Sequence, residues 1–97
     1  IDSVLLPPAD PDQKKVAAML LNNAISKGVP LFNHGQHGAC VDIYEIAAQA
    51  VAAMSEIPSS DRKVLMAALE KSSHSHSTTS RAWMMRHALD HVLESIH

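Results

Sequence analysis

Apolar residues recur along most of this chain at the three- and four-residue spacing of one helix face, and the polar residues fall between them. The clearest start signal lies at Asp10, Pro11 and Gln13: a cap, a proline suited to the first helical position and a capping-box partner three residues on. Behind it Val16, Ala17, Leu20, Leu21 and Ala24 form one stripe, with Lys14, Lys15 and Asn22 facing away and Gly28 read as the stop, which predicts a helix over residues 11–27. A second helix is expected over 37–57, carrying Cys40, Ile43, Tyr44, Ala47, Ala50, Val51 and Met54 on one face and ended by Pro58. A third, over 60–71, is capped by Ser59 or Ser60 and buries Val64, Leu65, Ala68 and Leu69. After the polar run SSHSHSTTS, hydroxyls between Ser77 and Thr79 cap a fourth helix over 79–96, with Ala82, Met85, Leu89, Val92, Leu93 and Ile96 inside.

Four amphipathic stripes joined by short links are buried most simply by antiparallel packing. The expected fold is therefore all-α, a compact four-helix-bundle-like single domain over residues 1–97, with 1–9 as an extended arm broken by Pro7-Pro8 and 10–97 as the helical core. Leu20, Tyr44, Val51, Leu65 and Leu89 are its expected core. The stretch Gly28 to Gly35 with Cys40, Tyr44 and Ala47 resembles the small and aromatic positions of a tetratricopeptide unit. Pro30 departs from that pattern, no second copy flanks it, and the resemblance implies only that helices one and two pack as a hairpin.

Composition narrows the functional classes. Of the aromatic residues there is one each of Phe, Tyr and Trp, so the interior must be built from aliphatic side chains, Met and Ala. A formal net charge of -2 argues against a phosphate-tracking surface, and no apolar run is long enough for a membrane span. The chain begins at Ile1 rather than Met, which reads as a processed or trimmed form of a longer product and is compatible with export. A lone Cys40 rules out a disulfide framework within the chain. Phosphate-loop, nucleophile-elbow, metalloprotease and paired-cysteine motifs are absent from the sequence, so binding is favoured over catalysis.

Two places carry candidate chemistry. The first is the segment Phe32, Asn33, His34, Gly35, Gln36, His37, Gly38, where two glycines, two histidines and the start of a helix converge. Imidazole beside free helix N–H groups suits a small anionic ligand, a carboxylate or a phosphate. The second is the outer face of the last helix, where Trp83 and Met84 lie off the inner stripe and point to a homodimer contact or another protein partner. Seven histidines raise the alternative of a metal- or haem-binding bundle, with a divalent transition metal or haem held by His34, His37, His87 or His91. His34-x-x-His37-x-x-Cys40 has ligand-like spacing, and His87 and His91 stand one helical turn apart. The leading expectation is a non-enzymatic binding or assembly module using the Phe32–Gly38 loop and the outer face of the last helix.

Overall fold

A computed structural model describes residues 13–96 of the protein, and every structural statement below concerns those residues. They form four helices, α1 (Gln13–Asn33), α2 (His37–Ala52), α3 (Ser59–His74) and α4 (Thr78–Ile96), packed into the expected compact bundle-like fold with no strand among them. The cap at Asp10 and Pro11, the arm over 1–9 and its Val4 to Leu6 segment lie outside the described residues. Gln13 is described, and its side-chain oxygen accepts a hydrogen bond from the Glu56 backbone N–H at 2.8 Å, joining the start of α1 to the α2–α3 connection.

Helix α2 is the centre of the arrangement: it packs against the other three, while α1 also touches α4 and α3 packs on α4. Its sequence allows this because small residues and valines, with Tyr44, make one broad face of the helix. Cys40, Val41, Tyr44, Ala47, Ala48, Val51 and Ala52 are all buried. The single stripe expected for α2 is thus too narrow: Val41, Ala48 and Ala52 join it, and Ala50 is exposed. On α1 the buried leucine is Leu21, Leu20 is only half-buried, and Val16 faces solvent. Val51, Leu65, Leu89 and Tyr44 are core as expected.

Three boundaries differ from those read in the sequence. Helix α1 does not stop at Gly28 but runs on through Val29 and Pro30 to Asn33. Pro30 removes only one backbone donor, and Ser26, whose carbonyl would have received it, is exposed to water. The real stop is Gly35, at φ +81°, where the Gly35 N–H donates to the Phe32 carbonyl at 3.0 Å and the Gln36 N–H to the Leu31 carbonyl at 2.8 Å. That pair of bonds is a Schellman closure, and its left-handed residue is why glycine stands there. Gly28 serves a different purpose: a Cβ built on it would lie 2.8 Å from Cζ and 3.0 Å from Oη of Tyr44, so its missing side chain lets the α1 backbone rest on the Tyr44 ring. This contact makes α1 and α2 the hairpin that the resemblance implied.

Helix α2 ends at Ala52, short of the expected 57, because Ile57 folds back into the core at 2% exposure. The carbonyls released by this turn are taken by Arg62, whose Nη2 donates to Ile57 O at 3.0 Å and Met54 O at 3.3 Å. Pro58 occupies the N-cap position of α3 and makes no side-chain cap, so neither Ser59 nor Ser60 fills that role. At the other end α3 continues to His74, and Ser72, the first residue of the polar run, is fully buried. The cap of α4 is as read: Ser77 Oγ accepts from the Ser80 N–H at 3.2 Å.

Polar side chains join the two helix pairs. Ser72 Oγ donates to Glu45 Oε2 at 2.7 Å, Arg81 Nε donates to Ser72 Oγ at 3.1 Å, and Arg81 Nη2 donates to Glu45 Oε2 at 3.1 Å, linking α2, α3 and α4. Buried Asp61 on α3 accepts from Ser95 Oγ on α4 at 2.7 Å.

Candidate functional site

The C-terminal turn of α1, the first turns of α2 and the first half of α4 meet at one end of the molecule. Because the Schellman turn leaves only His34, Gly35 and Gln36 between α1 and α2, Phe32 and His37 are held face to face, with ring centres 4.2 Å apart and planes inclined by 28°. Helix α4 is drawn to this corner by Thr79, whose Oγ1 lies 3.2 Å from His37 Nδ1 in a hydrogen bond. Trp83, one turn further along, then meets Phe32 edge-on, at 5.8 Å and 72°, and His87 follows at 6.0 Å from Trp83. Four rings from three helices line up in this way.

Beneath them is a cavity of about 140 Å³ lined by Val29, Phe32, Asn33, Cys40, Tyr44, Ala82, Trp83 and Arg86. Its walls are largely apolar. Trp83 remains 52% exposed, which for the largest apolar side chain of the protein marks a surface rather than a core position. The polar groups at the cavity are few. Burial pushes the Tyr44 phenol up to about 12, the neighbouring Cys40 thiol adds to the rise, and Arg86 opposes it, so the phenol is neutral over the physiological range. For Arg86, burial pulls the guanidinium down, but Asp90 and then Tyr44 outweigh it and hold the pKa above its ordinary value. Arg86 donates from Nε to Asp90 Oδ2 at 3.1 Å and Oδ1 at 3.3 Å.

The structure therefore merges two regions that the sequence presented separately. Phe32 and Asn33 from the inter-helix segment and Trp83 from the last helix line one cavity, and His37 stacks on its rim. Gly35 supplies the turn, and Gly38 lies in the first turn of α2 with open space where a Cβ would be. His34 sits on the far side of the Schellman turn with Nδ1 bonded to the Pro30 carbonyl at 2.6 Å, and it does not line the cavity. Met84 is half-buried beside Trp83. His87 and His91 are exposed on α4 as an i, i+4 pair. Among the described residues no three His, Cys, Asp or Glu side chains gather as a metal site, so the spacing of His34, His37 and Cys40 is not matched by a shared centre. Cys40 instead belongs to the core, at 1% exposure.

Sequence reasoning missed Arg86. It was hidden by its neighbours, Met85 on the inner stripe and His87 in a candidate metal pair, although its place three residues after Trp83 puts both on one helix face. No helix among the described residues is long and apolar enough to cross a membrane. No family model matches the chain, and comparison with curated proteins and with solved structures yields no match.

Proposed function

We propose that the protein is a non-enzymatic helical binding module whose contact site is the aromatic-rimmed cavity between the α1–α2 junction and α4. The observation that carries this reading is the convergence of Phe32, His37 and half-exposed Trp83 over an unfilled, largely apolar space of about 140 Å³. A cavity of about 150 Å³ holds one benzene-sized ring, and edge-on and stacked aromatic walls favour a flat occupant. Binding rather than catalysis is supported by the chemistry of the two groups that line the space and could transfer a proton: Tyr44 keeps its proton at neutral pH and Cys40 is enclosed in the core. A second reading, self-association or docking of a protein partner through the outer edge of Trp83 with Met84 beside it, rests on the exposure of that indole.

Trp83 is the only tryptophan, so its fluorescence reports directly on the site. Titration with benzyl alcohol as the ring probe should change Trp83 emission saturably and shift amide resonances of Phe32, Cys40 and Ala82, and Phe32→Ala should weaken both responses. Shifts that map to another surface while these residues stay unmoved would refute the assignment. Sedimentation at increasing concentration tests the second reading, with Trp83→Ala returning any dimer to monomer.

A further inference from the structure

We infer that the ligand of this cavity is a small free aromatic carboxylate, its ring against Phe32 and Trp83 and its carboxylate on the terminal nitrogens of Arg86. The inference rests on the binding-module reading and adds the charge of the occupant. The polar side chains of the wall are Asn33, Tyr44 and Arg86, and no carboxylate is among the lining residues. Arg86 is a fixed cation: Asp90 takes Nε, the Tyr44 hydroxyl is its other polar neighbour, and no carboxylate meets its terminal N–H groups, on Nη1 and Nη2, among the described residues. A neutral ring seated here would cover those N–H groups without replacing their water, a cost that a carboxylate removes by accepting from both in the two-pronged geometry guanidinium favours. Tyr44 is buried beside Arg86 with its O–H proton retained, and the Asn33 amide can supply a further donor. The size of the space matches one ring with its carboxyl group, at about 140 Å³.

The test compares benzoate with benzyl alcohol on the full protein by Trp83 fluorescence and amide shifts. Benzoate should bind at least about tenfold more tightly, the factor expected of a charge-assisted pair in a partly desolvated site. Arg86→Gln should bring that ratio to about one, and Arg86→Lys, which keeps the charge but not the fork, should fall between. Equal affinity of the two probes for the wild-type protein overturns the carboxylate inference and leaves the cavity reading standing. If neither probe perturbs Trp83 or its neighbours, the cavity reading itself fails. A peptide ending in phenylalanine that outcompetes benzoate would reassign the site from free acids to chain termini.

Discussion

Gly28→Ala provides a sign test of the packing between α1 and α2. At an exposed helical position, replacing glycine by alanine stabilises by about 1 kcal/mol through backbone entropy. Gly28 is buried, and the added methyl would sit 2.8 Å from Tyr44 Cζ and closer still to Cε1. Tyr44 is 3% exposed and its hydroxyl end is bounded by Cys40 and Arg86, so the ring gives way only toward the cavity it lines, at the expense of those neighbours. Forcing atoms into such a contact costs about 1–3 kcal/mol, so after the gain of about 1 kcal/mol the expected net effect is a loss of up to about 2 kcal/mol, or up to about 10 °C in Tm for a domain of this size. Urea unfolding followed by circular dichroism measures it. In a Tyr44→Leu background, which removes the ring atoms nearest Gly28, the same substitution should reverse sign and stabilise by about 1 kcal/mol. If Gly28→Ala stabilises the wild-type protein, the close approach of α1 to the ring is wrong.

Other parts of the structure predict equally definite outcomes. Gly35→Ala, at φ +81°, should cost about 1 kcal/mol in urea unfolding by forcing a Cβ into the left-handed region, and no loss would contradict the Schellman stop. Glu45→Ala leaves the fully buried Ser72 hydroxyl and the partly buried Arg81 without their shared acceptor, and should destabilise by about 1–3 kcal/mol, whereas Glu70→Ala on the exposed face of α3 should lie near zero. Tyr44 is the only tyrosine, so tyrosinate absorbance follows it alone; its midpoint should lie near 12 rather than 10. In the unfolded chain the phenol ionises near its ordinary value, so the contribution of its burial is fully present below about pH 10 and is lost as pH rises toward 12. A titration midpoint at 10 with helix content intact would show that Tyr44 is solvated.

The helical class was legible because each stripe follows the helix period closely enough to locate Val51, Leu65 and Leu89 inside. The end of α1 was not, and the reason is physical. Gly28 and Gly35 are the same residue seven positions apart, one used for want of a side chain and the other for its left-handed backbone, and local sequence does not distinguish those uses. Pro30, two residues past Gly28, does not end the helix either, because Ser26, whose carbonyl it deprives, lies on the exposed side. Ser72 looked like the first residue of a polar linker, and its burial depends on Glu45 and Arg81, which are distant along the chain. The candidate site was half legible: the sequence marks Phe32 as part of the inter-helix segment and Trp83 as an apolar residue off the inner stripe, but their meeting follows from how α4 crosses the α1–α2 hairpin. Arg86 gained its importance only from that crossing.

The central position of α2 bears on how the chain folds. Each helical hairpin closes over a short link and so forms from contacts near in sequence. Neither half can satisfy α2 alone, because one flank of that helix is buried by α1 and the other by α3 and α4. An α1–α2 hairpin on its own would leave Glu45 without Ser72 and Arg81, and an α3–α4 hairpin would leave the bonded Ser72–Arg81 pair without its carboxylate. If docking of the two hairpins limits the rate, substitutions along their seam should slow folding, whereas those inside the α1–α2 turn should mainly alter unfolding.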